Sequence, residues 1–322
     1  MKKIYILFLF LTTICCSCKQ QPVQHFSGAV FGTMFNITYL GELSTTLPQQ
    51  VDSVLKEVNS SFSIFDTTSV ISKINAGENV TLNQDFATVL TKSLDISQQT
   101  DGAFDCTIQP LIELWGFGRQ NQKHIVPQNQ IDSVKQFVGY QSLRIQGRNI
   151  AKADPRIQLN FNAIAKGFAV DKVSDFLQSK GYKDCLVEIG GEIVACGTKN
   201  GKPWRIGIQV PTENADDAVE SKESFELKNR AVATSGNYRN YFEENGKRYT
   251  HILNPVTGKP EQTNLLSVTV IAPDCMTADA YATAFMVLGL ERSSQIVRAH
   301  SELEAWFIYS ENGSFKLSKV KN

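Results

Sequence analysis

The sequence feature that most constrains the fold is an acid and a hydroxyl placed four residues apart in a helix that is otherwise apolar. Asp279 and Thr283 lie within the stretch 278–288, and residues at i and i+4 share one face of a helix. Because an unpaired polar group costs several kcal/mol when it is buried, both oxygens need a partner. A hard cation such as Mg²⁺ would satisfy them together. The alternative is an ordinary helix start, with Thr277 as the N-cap and Asp279 near the positive end of the helix dipole.

The composition is that of a folded globular chain. The sequence has 322 residues, of which 42% are hydrophobic and 20% are charged, so there is ample material for a buried core. The formal net charge is zero, and no basic excess indicates nucleic acid as a partner. The length alone would allow two domains, but no internal repeat or low-complexity linker divides the sequence.

The first residues have the pattern of a targeting segment. Lys2 and Lys3 precede an apolar run at 4–11, which is too short to span a bilayer and has the layout of a signal peptide. Cysteines after small residues follow this run, and that arrangement resembles the signal of a bacterial lipoprotein.

We therefore expect residues 1–18 to be a lipoprotein-type signal peptide, with either Cys16 or Cys18 lipidated, and residues 19–25 to be a polar tether. Neither cysteine has Leu, Val or Ile three places upstream, so a plain signal peptide is the alternative. In the lipoprotein case the protein is exported and lipid-anchored to a bacterial membrane, where it faces the periplasm or the cell exterior.

Hydrophobic periodicity predicts an α+β fold. Apolar residues recur at helical spacing in four segments and are arranged as in strands in five others. The predicted helices are 49–61, 85–100, 162–180 and 278–289. The predicted strands are 35–40, 186–189, 204–210, 266–271 and 305–309. Helices and strands interleave without a clean βαβ rhythm, which favours α+β over a doubly wound sheet.

Several polar, glycine-rich stretches interrupt the apolar pattern. Glycines beside acids and hydroxyls let backbone N–H groups approach a phosphate, although ordinary turns need the same residues. These stretches are 32–34, 63–66, 101–105, 160–167, 188–192, 234–238 and 251–258. The Gly-x-Gly-x-x-Gly, Gly-x-x-x-x-Gly-Lys-Ser/Thr and Gly-x-Ser-x-Gly motifs are absent from the sequence, which argues against a Rossmann oxidoreductase, a P-loop enzyme and an α/β-hydrolase.

Taken together and in this order, the stretches resemble the ApbE family of FAD:protein FMN transferases. The motifs that carry the resemblance are Gly102-Ala103-Phe104-Asp105, the Ala-Lys-Gly-Phe-Ala-Val-Asp run that ends at Asp171, Thr234-Ser235-Gly236, the stretch 251–258, and Ala278-Asp279-Ala280 with Thr283. The resemblance implies one ApbE-like, T-fold related catalytic domain over residues 26–322, with mixed or antiparallel sheets and packed helices.

The resemblance also implies a magnesium site and an FAD site. Mg²⁺ would be held by the Ala163 carbonyl and by the side chains of Asp279 and Thr283, and Ala282 stands where some family members carry a further acid. The implied catalytic residues are His251 and Asp279. The residues implied to contact FAD are Met34, Phe65, Ala103, Phe104, Asp105, Asn160, Lys166, His251 and Ile252.

The chemistry of these side chains suggests a role for each, beside a simpler alternative. Phe65 and Phe104 offer ring faces for stacking on flavin or adenine, or they pack in the core. Asp105 can accept from a ribose hydroxyl or a ring N–H. Lys166 is a point charge suited to the pyrophosphate, or it faces solvent. His251 can take a proton near neutral pH, or it orients a ligand or packs in the core.

The implied reaction is Mg²⁺-dependent transfer of FMN from FAD to a serine or threonine hydroxyl of an exported or membrane target protein, with release of AMP. Family targets are flavin-carrying subunits of Rnf- and Nqr-type membrane complexes. The first alternative is an FAD pyrophosphatase, in which water replaces the protein hydroxyl. The second is a non-catalytic FAD-binding lipoprotein, which the Asp279 and Thr283 pair disfavours because plain binding needs no metal.

Overall fold

The computed structural model describes most of the chain beyond its first residues. The described residues are 20–119, 121–210, 219–237, 241–244, 247–312 and 314–322. The expected signal peptide at 1–18, with Cys16 and Cys18, lies outside them. No helix built from the described residues combines the length and apolar character that a bilayer crossing requires.

An antiparallel sheet of eight strands forms the centre of the fold. The strands of the described residues are β1 (Val23–Val30), β2 (Thr33–Leu40), β3 (Leu143–Gln146), β4 (Asn149–Lys152), β5 (Cys185–Ile189), β6 (Glu192–Cys196), β7 (Trp204–Val210), β8 (Val219–Leu227), β9 (Arg230–Gly236), β10 (Tyr241–Glu244), β11 (Lys247–Thr250), β12 (Leu253–Asn254), β13 (Lys259–Pro260), β14 (Leu265–Ala272), β15 (Glu304–Glu311) and β16 (Ser314–Lys321). The sheet order is β1-β2-β5-β6-β9-β14-β15-β16, and each neighbouring pair is antiparallel. The other eight strands pair as β3–β4, β7–β8, β10–β11 and β12–β13.

Helices cover one face of this sheet. The helices of the described residues are α1 (Leu47–Phe62), α2 (Val70–Asn75), α3 (Gln84–Gln99), α4 (Gln109–Leu114), α5 (Gln128–Lys135), α6 (Ala165–Ser179) and α7 (Cys275–Ala299). Helix α7 packs on β9, β14 and α6, while α6 packs on β5, β6 and α1. The main hydrophobic core lies between these helices and the sheet. The α+β prediction is therefore confirmed.

Strand β14 is buried on both faces, which explains its nearly continuous apolar sequence. Helix α7 covers one face, and on the other Ile271 joins a smaller cluster with Trp204 and Ile206 of β7. A strand that is covered on both sides loses the alternation of polar and apolar residues seen in half-exposed strands.

Two helices begin at different residues from those predicted. Helix α6 begins at Ala165 rather than at 162, because Ile164 is not helical and the preceding turn is held by the Asn162 N–H donating to Asn160 Oδ1 (2.8 Å). Helix α7 begins at Cys275, and its N-cap is Asp274, whose carboxylate accepts from the Thr277 N–H at 2.7 Å. The alternative that Thr277 caps this helix is therefore wrong.

Of two further boundaries, one is as predicted and one differs. Gly289 ends the first helical segment of α7, because its φ of 76° and ψ of 173° are not helical, and a second segment follows the kink and ends at Ala299. The polar tether predicted at 19–25 is wrong for residues 23–25, because Val23 begins β1 and pairs with Leu40 of β2. Backbone pairing with a buried neighbour orders a segment whose side chains are mostly polar.

Candidate active site

A cleft of about 690 Å³ is bounded by helix starts, strand ends and loops that are far apart in the sequence. Every site residue expected from the sequence lines it, except Met34 and Phe65. Those that do are Ala103, Phe104, Asp105, Asn160, Ala163, Lys166, His251, Ile252, Asp279 and Thr283. Its volume is typical of sites for small molecules and cofactors. The fold thus brings the separate motifs to one place, while their individual roles stay predictions.

Phe65 and Met34 lie beside the cleft rather than in it. The Phe65 side chain is 67% exposed and lines an adjoining pocket of about 290 Å³, which shares Asn162 and Lys166 with the cleft. Met34 is 54% exposed, and its carbonyl accepts from the Gly190 N–H (3.0 Å) at the cleft wall. The core-packing alternative is therefore wrong for Phe65, whose ring face is open to a ligand.

The floor of the cleft carries Asp279 and Thr283 on the first turns of α7. Asp279 is almost fully buried, and its Oδ2 accepts from the Gly167 N–H at 3.0 Å. The Thr283 hydroxyl lies 3.1 Å from the Ser235 hydroxyl on β9. Both oxygens face the cleft from one side of the helix, as their spacing predicts.

Gly167 allows the close contact between α6 and α7 that places Asp279. A Cβ at this glycine would lie 2.3 Å from the Cys275 carbonyl oxygen and 2.9 Å from Asp279 Cβ, which is too close for any side chain. The same contact lets the Gly167 N–H reach the Asp279 carboxylate. The glycine in the Ala-Lys-Gly run is therefore required by the close packing of two helices, not by the backbone conformation of a turn.

The Ala163 carbonyl is left without its usual helical partner. In a regular helix it would accept from the N–H of Gly167, but that N–H donates to Asp279. In the described residues, no backbone N–H outside the regular helices and strands donates to this carbonyl. Ala163 also lines the cleft, so its oxygen is available to a ligand or a cation.

Lys166 lies between two buried carboxylates. Its Nζ is 2.8 Å from Glu192 Oε1 and 3.5 Å from Asp279 Oδ1. Burial alone would lower the pKa of Lys166, but the Asp279 and Glu192 carboxylates raise it above its ordinary value, so the side chain is a cation. The alternative that Lys166 simply faces solvent is wrong, because two acids hold it at the cleft wall.

Glu192 is the principal site residue that the sequence prediction missed. It is 3% exposed, lines the cleft, and its Oε2 has no hydrogen-bond partner. Burial and the nearby Asp279 carboxylate raise the pKa of Glu192 to about 7, although the Lys166 ammonium opposes the rise. The turn at Gly190-Gly191 could have indicated this residue. In a hairpin with that turn Glu192 pairs with Ile189, and both side chains are buried.

Asp105 and Asn160 are more engaged with the protein than expected. Asp105 Oδ1 accepts from the N–H and hydroxyl of Thr107, and Oδ2 accepts from the Tyr140 N–H at 2.8 Å. Burial raises the pKa of Asp105, and these hydrogen bonds oppose the rise. Asn160 bonds through both ends of its amide, to Gln109 and to the backbone. These bonds fix both side chains in the wall of the cleft, and Asn160 keeps one N–H and one lone pair for a ligand.

Phe104 and the loop after β11 complete the wall. Phe104 is 3% exposed and belongs to the main core, so the packing alternative describes it better than an open stacking face. His251 is exposed at the cleft, directly after β11. Ile252 beside it is buried, and its carbonyl accepts from the Glu261 N–H (2.8 Å). The core alternative for His251 is therefore wrong.

The donor set fits magnesium better than a transition metal. No group of three or more His, Cys, Asp or Glu side chains in the described part of the chain could hold a metal ion. Mg²⁺ does not need one, because it is commonly bound by one or two carboxylates together with substrate phosphates and water. One carboxylate, one hydroxyl and one unpaired carbonyl, at Asp279, Thr283 and Ala163, match that preference.

Fold and cleft together define a class: an α+β enzyme whose ligand cleft is lined by a buried acid, a hydroxyl and a lysine cation. The family model described as the ApbE family matches residues 31–307. The chain belongs to the ApbE family.

Similar proteins match nearly the whole chain. The FAD:protein FMN transferase of Vibrio cholerae is 37% identical over 309 residues, which cover 93% of this chain and 91% of that protein. The FAD:protein FMN transferase of Escherichia coli K12 is 33% identical over 335 residues, covering 98% and 94%.

Solved structures agree with the fold. The flavin transferase ApbE from Vibrio cholerae superposes with a TM-score of 0.84 at 35% identity, covering 93% of this chain and 97% of that one. The apo flavinyl transferase ApbE from Pseudomonas stutzeri superposes with a TM-score of 0.85 at 35% identity, covering 94% and 96%.

Proposed function

We propose that this chain transfers FMN from FAD to a serine or threonine hydroxyl of another protein, with release of AMP. The hydroxyl oxygen forms a bond to the phosphorus on the FMN side of the pyrophosphate, and the bond from that phosphorus to the AMP oxygen breaks. The observation that carries the proposal is the convergence of Asp279, Thr283 and the Ala163 carbonyl on one cleft, beside the Lys166 cation. The names of the relatives support the same reaction.

Asp279, Thr283 and the Ala163 carbonyl are the residues that would hold Mg²⁺. The bound ion neutralises charge on pyrophosphate oxygens, the usual contribution of magnesium to phosphoryl transfer. The Gly167 N–H fixes Oδ2 of Asp279, and this bond orients Oδ1 toward the cleft beside Lys166. The Ser235 hydroxyl does the same for Thr283.

The remaining residues bind the substrate and accept the proton. The exposed Phe65 ring offers a face for stacking beside the cleft, and Lys166 supplies a positive charge for phosphate oxygens. His251 is at the solvent-accessible side of the cleft, where a protein hydroxyl can approach. A neutral imidazole there accepts the hydroxyl proton as the new bond forms.

The leader supports a location for this reaction. A lipid anchor at Cys16 or Cys18 would hold the cleft close to the outer surface of a bacterial membrane. Flavin-carrying subunits of Rnf- and Nqr-type membrane electron-transfer complexes are the acceptors that we propose.

One incubation separates this reaction from its alternatives. The purified protein is mixed with FAD and Mg²⁺, with and without an acceptor domain, and AMP and protein-bound flavin are measured. We expect AMP only with the acceptor, together with fluorescent flavin that stays on the acceptor after denaturation. AMP without acceptor would indicate a pyrophosphatase, and bound FAD without AMP would indicate a storage protein.

A matched pair of variants ties the reaction to the site. Asp279→Ala should abolish AMP release, whereas Asp154→Ala should not, because Asp154 pairs only with Arg156 outside the cleft. Retained AMP release by a folded Asp279→Ala protein would refute the proposed site.

A further inference from the structure

Three elements bring three charges together at the cleft wall. Lys166 comes from the first turn of α6, Glu192 from the β5–β6 hairpin, and Asp279 from α7. Both carboxylates are nearly inaccessible, with 4% and 3% of their side chains exposed, whereas the Lys166 side chain is 33% exposed. The lysine is therefore the member of the trio that has room to move.

The two contacts of the ammonium are unequal. Nζ is 2.8 Å from Glu192 Oε1 but 3.5 Å from Asp279 Oδ1. Asp279 is anchored through its other oxygen by the Gly167 N–H, while Glu192 Oε2 has no partner and can accept a further hydrogen bond. Glu192 can thus accommodate the ammonium alone, and Asp279 Oδ1 can be released without leaving the lysine unpaired.

A metal at Asp279 and the Lys166 ammonium compete for the same oxygen. Two cations cannot approach one buried carboxylate oxygen without strong mutual repulsion, which is weakly screened in a buried site. Binding a metal therefore requires that the ammonium move away, and the protein must offer it another anion at that moment.

We propose that Lys166 occupies the cation position beside Asp279 when no metal is bound, and that Glu192 draws the ammonium aside when the metal binds. The inference rests on the proposed function only where it takes Asp279 as a metal ligand. Glu192 is then a positioning residue, which acts on the metal through Lys166 and does not coordinate it.

The test is metal binding in the absence of FAD. Mn²⁺, which shares the oxygen preference of Mg²⁺, is titrated into the purified full chain, and free Mn²⁺ is followed by electron paramagnetic resonance at a mildly alkaline pH. We expect Lys166→Met to tighten binding and Glu192→Gln to weaken it, each by about threefold or more. In the Lys166→Met background, the effect of Glu192→Gln should become several times smaller.

The double-mutant cycle separates positioning from plain charge effects. If Glu192 acted only through its charge, or if it coordinated the metal itself, Glu192→Gln would weaken binding equally with and without Lys166. Such additivity would overturn the inference, as would weaker Mn²⁺ binding by Lys166→Met. Lys166→Gln serves as a second variant if Lys166→Met fails to fold by circular dichroism.

A second ion pair on the same helix provides a matched control. Lys172 Nζ lies 3.0 Å from Asp85 Oδ1, and these side chains are exposed to 34% and 27%, but neither lines the cleft. Lys172→Met and Asp85→Asn should change Mn²⁺ affinity by less than about twofold.

Failure of the inference can be told apart from failure of the proposed function. If Asp279→Asn binds Mn²⁺ as the wild type does, or the wild type binds none, the metal site itself is wrong and the inference falls with it. If Asp279→Asn loses Mn²⁺ while the cycle is additive, only the role of Glu192 is wrong.

Discussion

At the scale of single residues, Asp279 serves two parts of the structure at once. One carboxylate oxygen accepts the Gly167 N–H and so joins α7 to the first turn of α6, and the other faces the cleft near Lys166. An amide in this position could keep the first contact but would lose the negative charge. Structural and chemical roles of the residue can therefore be separated by a substitution of nearly equal size.

Asp279→Asn should leave the fold intact and remove activity. We expect AMP release from FAD and Mg²⁺, in the presence of an acceptor, to fall by about 10²-fold or more, because the charge that holds the metal is gone. The far-ultraviolet circular dichroism should be unchanged. Asp154→Asn is the control, and a similar loss in both variants would contradict the assignment.

Glu192 should make stability depend on pH. Its pKa is raised to about 7 in the folded protein, from an ordinary 4.5, so between these values the folded state binds more protons than the unfolded state. Stability should therefore fall as the pH rises through this window. The raised pKa of Lys166 acts only at much higher pH.

Urea unfolding of the metal-free protein across this pH range checks the expectation. Glu192→Gln should unfold with a flatter pH dependence, so its stability relative to wild type should increase from the acidic to the alkaline end of the range. Parallel pH curves for the two proteins would show that Glu192 is ionised throughout the range.

At the scale of elements, the close packing of α6 against α7 sets the geometry of the cleft floor. The contact passes through Gly167, where the Cys275 carbonyl oxygen occupies the space of a side chain. Helix α6 brings Lys166 to the cleft and α7 brings Asp279 and Thr283, so a small separation of the two helices moves every charged group of the floor.

Gly167→Ala should destabilise the protein despite the better helix propensity of alanine. The new Cβ would meet backbone at 2.3 Å, and relieving that overlap by moving the helices should cost about 1–3 kcal/mol. The free energy of unfolding in urea measures it. Asp175→Ala, on the exposed side of the same helix, is the control and should change stability by less than about 0.5 kcal/mol.

At the scale of the whole molecule, the predicted signal peptide directly precedes the folded domain in the sequence. Strand β1 begins at Val23 on the edge of the main sheet, so only a few residues separate it from the candidate lipidation sites Cys16 and Cys18. A lipid anchor at either cysteine would keep the domain close to the membrane surface, with little freedom to reach distant acceptors.

Removal of residues 1–19 should convert the protein from membrane-bound to soluble in a bacterial host. We expect the full chain in the membrane fraction and the truncated chain in the soluble fraction, with the AMP-releasing activity retained, because the truncation leaves β1 whole. Cys16→Ala and Cys18→Ala identify the anchored residue: one of them should release the chain. A truncated chain that still pellets with membranes would contradict a lipid anchor.

Much of the element structure was predictable from the sequence, because it depends on neighbours along the chain. Periodicity identified the four long helices and the strands β2, β5, β7, β14 and β15, but not β6 and β9 at the middle of the main sheet. Helical spacing placed Asp279 and Thr283 on one face. The helix stop at Gly289 was predicted, but the start of α7 was missed, because Asp274 and Thr277 are both residue types that can cap a helix and only the folded backbone shows that Asp274 does so.

From the sequence alone we could name most of the residues that line the cleft, whereas the contacts that each of them makes depend on the tertiary structure. Lys166 meets Glu192 across 26 residues, Gly167 meets Asp279 across 112, and Tyr140 meets Asp105 across 35. No local pattern encodes such contacts, because they arise when the hairpin and the helices pack together. Packing is therefore what engages Asp105, buries Phe104, exposes Phe65 and brings Glu192 into the site.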